Sequence, residues 1–391
     1  MFNFEYVDDD MLEKTKLATN MEYLTDAQLG IQEIPMGYVL PSNNGRGGVL
    51  TSDLRYIDES FIHCTAGKSY PFDVNQVEYV DKTVVYIGLF HSIWGHCITD
   101  NLKHLWFMLD NKYNYLQDYD FVYLTLFDDP TNLPENLCKI LNKIGITRDK
   151  IITVNTVTQF KSIILPDQCF KLNSIMKQRQ YTKEYIALID KICEGIEPAK
   201  EDKIYFTRSA LKNKRDYGDG EKEIDKMLER IGYKVYSPEN LTFEEQISLL
   251  KGCSVFVATD GSISHNAIFL KEGATLVILR KAKYQNGYQA AINKIRDFDV
   301  VYIDTHKSVM NNKEKPWEGP FFLYPNKKFC TYFNIKYAGF PYISFFSYVI
   351  HPICIKLVSL IKRAIKKVLK ILGLYKFNVV LCDRKNTSGG I

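Results

Sequence analysis

Three side chains able to bind metal or move protons, His96, Asp100 and His104, recur at four-residue intervals in WGHCITDNLKHLW, residues 94–106. On one continuous helix, groups four apart stack on a single face, so this segment is expected to present all three together. Alone or with His91 they could ligate zinc, since imidazole and carboxylate are proper ligands, but nothing nearby supplies the glutamate base or distant ligand that paired histidines usually bring, which argues against a metal site. A plain polar helix edge accounts for one histidine, but less well for Gly95-His96 straight after a strand-like run with Asp100-Asn101 one turn on. Proton handling is the third reading: a carboxylate one turn from an imidazole orients the ring and raises its basicity.

Two other clusters suit anions. TRSALKNKRDYGDGEKE (207–223) gathers Arg208, Arg215, Lys212 and Lys214 just past a strand, and arginine's planar donor fork fits phosphate oxygens. In TDGSISHNAIF (259–269) a strand stops at Thr259, Asp260-Gly261-Ser262 turns, and a helix is expected from about Ser264. Backbone N–H groups at such a helix start attract negative charge, and Gly261 lets a ligand approach the backbone.

The elements that position these clusters alternate. VVYIGLF (84–90), FVYLTLF (121–127) and IITVN (151–155) read as strands, with helices over 134–146 and 182–196. The rhythm restarts with strands at 203–209, 233–238, 254–261, 275–280 and 299–305 and helices at 221–232, 241–253 and 264–273; Thr242 with Glu245 forms a capping box. Strand–helix alternation predicts an α/β protein of two doubly wound units facing a cleft, at 1–198 and 199–310, followed by an irregular connector at 311–350 and a tail at 351–391.

Composition sets the compartment. Hydrophobic residues make up 46% and charged residues 25% of 391, as in globular proteins. Nine cysteines stand singly with no C-x-x-C spacing, which predicts a reducing, cytosolic setting with no disulfide framework and no cysteine zinc site. MFNFEYVDDDML has neither a cationic start nor an apolar core segment, so no signal peptide is expected. The net charge of +4 hides an asymmetry: 351–391 holds nine Lys and Arg against Asp383 alone, leaving an acidic excess of four elsewhere. The basic excess is therefore local, which argues against general nucleic-acid binding. Within ICIKLVSLIKRAIKKVLKILGLY (353–375), Leu357, Leu360, Ile361, Ile365 and Val368 recur at helical spacing while Lys356, Arg363, Lys367 and Lys370 gather opposite. This cationic amphipathic helix is too charged to span a bilayer and suits an anionic membrane surface; docking on the protein's own core is the alternative.

Three blocks in order resemble glycosyltransferase family 61, the DUF563 group. They are Gly95-His96-x-x-x-Asp100 with Leu105-Trp106, Tyr205-x-x-Arg208 with Arg215 and Glu221, and Pro238-Glu239-x-Leu241-x-x-x-x-Gln246 leading to Gly261 and Asn266. Together they cover roughly residues 84 to 280. Two departures stand out: Asp260 occupies the place of a family histidine, and Gly220 that of an asparagine. The resemblance implies a GT-B-type inverting enzyme with two Rossmann-like domains, a nucleotide sugar on the C-terminal one, and no essential metal or other cofactor. It implies His96 as the base oriented by Asp100, the reverse remaining open. It places Arg208, Arg215, Glu239, Gln246, Asp260, Gly261, Ser262 and Asn266 around the donor.

These readings converge on a bacterial capsule-type transferase on the inner face of the cell membrane. It would move a sugar, from UDP by preference, to a capsular, exopolysaccharide or lipopolysaccharide acceptor, glycan or polyprenyl-diphosphate-linked, with 353–375 on anionic lipid. The rivals are a pyruvyl-transferase-like enzyme and a catalytically silent binding protein.

Overall fold

The computed structural model describes residues 1–60, 69–125, 133–173, 178–211, 220–307, 316–319 and 321–371. The apolar runs of the second half form a six-stranded, wholly parallel sheet, in the order Lys234–Tyr236, Lys203–Phe206, Val255–Thr259, Thr275–Arg280, Asp299–Asp304 and Phe2–Tyr6. Its three central strands are nearly all buried residues, the mark of a sheet covered on both faces. Counted along the chain from Lys203, the first five strands lie in the doubly wound order 2-1-3-4-5, and the order reverses between Lys203–Phe206 and Val255–Thr259. Ligands of such sheets sit beyond the strand ends at the reversal point, next to Arg208 and Asp260-Gly261. The capping box is present: Glu245 N–H donates to Thr242 Oγ1 at 3.2 Å, and Thr242 N–H to Glu245 Oε2 at 2.7 Å.

The first half builds a mixed eight-stranded sheet. Thr158–Pro166, Glu78–Phe90, Asp120–Thr125 and Ile151–Thr153 pair in parallel, and Ile31–Pro35, Tyr38–Asn43, Arg46–Leu50 and Tyr56–Ile57 extend the sheet in antiparallel fashion. A separate hairpin, Phe170–Asn173 with Gln178–Tyr181, lies in a stretch to which sequence periodicity assigns no element. The α/β character matches expectation, but the chain does not divide at residue 198 alone. Phe2–Tyr6 and the helix Asp9–Asn20 go with the second sheet, where Arg280 Nη1 donates to Thr15 Oγ1 at 2.8 Å. One apolar cluster runs from Val85 and Phe90 through Leu188 and Phe243 to Phe206 and Phe256, so the two sheets are packed together along this seam.

Two expected helices are not continuous. The 94–106 segment is helical only over Trp94–Cys97, then forms 3-10 turns at Asp100–Leu102 and Trp106–Leu109. Thr99 leaves the helical region (φ −125°, ψ −90°) while its Oγ1 donates to Gly95 O at 2.7 Å, taking a carbonyl that the helix ladder would use. Likewise 264–273 yields only a 3-10 turn, Ser264–Phe269, because Ser264 Oγ donates to Gln289 Oε1 at 2.6 Å and Asn266 Nδ2 to Ile263 O at 2.9 Å. The expected helix start at Ser264 is therefore a short 3-10 turn.

After the second sheet, Phe321, Phe322 and Leu323 are buried, and a helix runs over Tyr342–Ile371, beginning before the expected 353; positions 372–375 lie outside the described residues. Among the described residues no helix is long and apolar enough to cross a membrane. Leu360, Ile361, Ile365 and Val368 are half or more exposed, so they do not dock on the protein's own core.

Arg280 is 1% exposed and Asp304 2%, joined through Nε–Oδ1 at 2.6 Å and Nη2–Oδ2 at 3.1 Å. Replacing Arg280 by Met strands a buried carboxylate and is expected to cost about 3–5 kcal/mol in urea unfolding; a loss below about 1 kcal/mol would contradict this.

Candidate active site

The strand Glu78–Phe90 delivers the chain to His91, and a reciprocal pair of hydrogen bonds closes the next ten residues into a loop. His91 N–H donates to Asn101 Oδ1, and Asn101 Nδ2 to His91 O, both at 3.0 Å. The loop between them is drawn tight, and His96 Nδ1 comes to 2.7 Å from Asp100 Oδ2. With Nδ1–H donating to the carboxylate, the lone pair of neutral His96 sits on Nε2. His96 is half-buried and Asp100 is 9% exposed.

This turn meets the turn of the second sheet at very short range. A Cβ on Gly95 would lie 2.7 Å from His265 Nδ1 and 2.9 Å from Ser262 Oγ, so only glycine fits. Beside it Trp94 Nε1 donates to Asn266 Oδ1 at 2.8 Å. From the helix Gly287–Ile292, Tyr288 Oη donates to Asp100 Oδ2 at 2.6 Å. The Arg179 guanidinium, from the hairpin, lies 4.0 Å from the Tyr288 ring centre and donates to Tyr288 Oη. Three separated stretches of chain thus converge on one carboxylate.

The charges reflect this burial. Desolvation pushes the Asp100 carboxyl upward, but the His96 hydrogen bond and the charges of His96, Arg179 and Lys103 outweigh it and hold Asp100 well below the usual range. Burial lowers Lys103 to about 8, against the pull of Asp100. Burial lowers His265 to about 3, and the nearby His96 adds to the effect. Burial raises Asp260, against the opposing pull of Lys281 and Arg280.

The structure brings only some of the expected residues together. His96 and Asp100 form the pair, and Gly261 and Ser262 lie across from Gly95. Gly261 (φ +133°) adopts a backbone conformation that favours glycine, with Lys281 Nζ 3.3 Å from where a Cβ would be. Asp260 accepts from Asn286 Nδ2 at 3.3 Å. Asn266 spends its side chain on Trp94 and Ile263, and Gln246 spends its own on Pro238 O (3.0 Å) and Leu241 O (3.4 Å), holding the turn that carries Glu239. Arg208 stands at the end of Lys203–Phe206, its backbone N–H on Glu221 Oε1 at 2.9 Å, and the Arg179 guanidinium is a charge that acts on Asp100. Arg215, Lys212 and Lys214 lie outside the described residues. His104 leaves the expected face: its Nδ1–H donates to Pro166 O at 2.6 Å, and Nε2 is buried with no hydrogen-bond partner among the described residues. Among the described residues no three His, Cys, Asp or Glu are placed to share a metal ion. Gly220, the second departure, has a steric basis: φ is +86° and a Cβ would lie 1.8 Å from Leu323 O.

Arg179, His265, Lys281, Asn286 and Tyr288 belong to the cluster without having been expected there. For His265 a signal exists, since the block TDGSISHN itself holds a histidine five residues after Asp260. Arg179 and Tyr288 sit in stretches with no periodicity or spacing to mark them. A hollow of about 730 Å³, lined by Leu109, Lys251, Phe269 and Arg296 among others, contains none of these side chains.

An α/β protein that sets an oriented imidazole against the strand ends of a doubly wound sheet has the parts of a group-transfer enzyme. Residues 94–277 match the family model described as Glycosyltransferase 61. No curated protein matches the chain. The matched stretch takes in the His96–Asp100 turn and Arg179 and stops short of Lys281 and Tyr288. The match makes residues 94–277 similar to glycosyltransferase family 61 and supports a glycosyltransferase.

Burial lowers His104, like His265, to about 3. Folded pKa values below the unfolded value near 6.5 mean that the unfolded chain binds more protons between about pH 6.5 and 3. Stability should therefore be unaffected by these groups above pH 7 and fall on acidification. Each imidazole should contribute up to about 1.4 kcal/mol per pH unit in urea titrations, and His265→Gln should remove its share. A flat profile from pH 7 to 5 would contradict their neutral burial.

Proposed function

We propose that the enzyme is an inverting, metal-independent transferase of the GT-B type, taking a sugar from UDP to a cell-surface polysaccharide or polyprenyl-diphosphate-linked acceptor. The observation that carries this reading is the His96–Asp100 pair, 2.7 Å apart, facing the Asp260-Gly261-Ser262 turn at the end of Val255–Thr259. An inverting transfer needs a base on one face of the anomeric carbon and positive charge on the other.

In this reading His96 Nε2 takes the acceptor hydroxyl proton as the oxygen bonds to the anomeric carbon. The bond to the diphosphate breaks on the opposite face, and its electrons pass to the departing oxygen. Asp100 holds the ring and stabilises the imidazolium that forms. Lys281, with Arg208 and Arg215, supplies cationic donors for the leaving group, a role that Mg²⁺ plays in metal-dependent transfer. Support for metal independence comes from the way the donors are used: His104 is committed to Pro166 O and Asp100 to His96 and Tyr288.

Membrane contact through 353–375 is part of the same reading. Exposed Leu360, Ile361, Ile365 and Val368, with exposed Lys362 and Arg363, suit an anionic lipid surface, which would keep enzyme and lipid-linked acceptor in one layer.

A thermal-shift screen of UDP-, GDP-, CMP- and dTDP-sugars is expected to pick UDP. With that donor, His96→Ala and Asp100→Asn should each lower kcat on the order of 10²–10⁴-fold while leaving the donor-induced shift intact. Full turnover in His96→Ala would refute the base assignment. Deleting 351–391 should release the protein from phosphatidylglycerol vesicles while soluble acceptor analogues still react; a truncated protein that still sediments with vesicles would refute the role of the tail.

A further inference from the structure

Asp100 Oδ2 accepts two hydrogen bonds at once, from His96 Nδ1 at 2.7 Å and from Tyr288 Oη at 2.6 Å. The phenol is in turn bonded by Arg179, whose guanidinium also lies 4.0 Å from the ring centre. The charges therefore run in series: guanidinium to phenol oxygen, phenol O–H to carboxylate, carboxylate to imidazole N–H. We propose that Tyr288 and Arg179 are positioning residues that hold the Asp100 carboxylate and share its charge, so that it orients the His96 ring, Nδ1–H toward Oδ2, without drawing that proton away. This deepens the reading of His96 as the base and rests on it.

What matters at the ring is how much negative charge Oδ2 offers to the imidazole. A carboxylate with a single partner concentrates its charge there and favours imidazolium before the acceptor hydroxyl arrives, too early for the transfer. A second donor takes up part of the charge, and a phenol that accepts from a cation is the stronger donor for it. Lys103 acts on Asp100 in the same sense from its own segment. The other groups around the pair are the His91 ring, 4.9 Å from the His96 ring, and His265 with Lys281 behind it on the second sheet's turn. Geometry argues alike: Tyr288 comes from the second sheet's unit and Arg179 from the hairpin, so the carboxylate is fixed only where all three stretches meet.

Tyr288→Phe removes one oxygen and keeps a ring that packs on His96, Phe170 and His265 at 5.5, 6.1 and 5.9 Å. The test is ring-nitrogen NMR of the full chain with labelled histidines, the His96 signal being identified by its absence in His96→Gln. In the unsubstituted protein the neutral ring should carry its hydrogen on Nδ1. In Tyr288→Phe its titration midpoint should rise by about half a unit to one unit, a part passed on through Asp100 of the roughly one to two units that a hydrogen bond to a charged group is worth. Arg179→Met should move it the same way, and Arg179→Lys, which keeps the charge without the fork, should move it less. An unmoved or lowered midpoint in Tyr288→Phe, or a hydrogen on Nε2, overturns the proposal. Because NMR needs no turnover, the outcome is separate from the fate of the base assignment, which His96→Ala kinetics decides.

Discussion

A carboxylate that is 9% exposed stays ionised only if donors replace the water it has lost, and Asp100 is where this structure meets that demand. His96, Tyr288 and Arg179 come from three stretches far apart in sequence, and Lys103 adds its charge from one turn away. The requirement reaches outward through packing. Tyr288 reaches Asp100 only because the two turns touch, and they touch only because residue 95 has no side chain and Trp94 finds Asn266. The apolar cluster that joins both sheets keeps that approach in place.

The second sheet contributes by its winding. Its strand order reverses between Lys203–Phe206 and Val255–Thr259, so the chain leaving these strands, Arg208 on one side and Asp260-Gly261-Ser262 on the other, borders one crevice. The family histidine missing at 260 has a counterpart in space: His265 returns to the same turn, with Nδ1 aimed at Gly95. Its burial keeps it neutral, so it adds no positive charge beside His96. Cationic character on this side comes from Lys281, which directly succeeds the neighbouring strand Thr275–Arg280.

Much of this was legible in the sequence, and the remainder was not, for definite reasons. Apolar runs such as TLVILR and DVVYID announce strands because a parallel sheet buries both faces, and Thr242 with Glu245 announces a helix start through local bonds alone. His96 and Asp100 were legible as a pair because four-residue spacing survives the helix break. His104 was misplaced because Thr99, a β-branched residue with a hydroxyl, ends the helix by bonding back to Gly95, a choice periodicity does not register. The strand Phe2–Tyr6 joins the far sheet through long-range pairing that no local pattern encodes. Arg179 and Tyr288 acquire their roles solely from tertiary placement, since an arginine in QRQY and a tyrosine in NGYQ look like any others.

In the proposed reading the carboxylate-centred seam is also where the donor should sit. A crystal structure of the enzyme soaked with a UDP-sugar tests it most directly. The diphosphate is expected against residues 260–262 and Lys281, with the anomeric carbon turned toward His96. Nucleotide density in the hollow bounded by Leu109, Lys251, Phe269 and Arg296, with the seam empty, would contradict it.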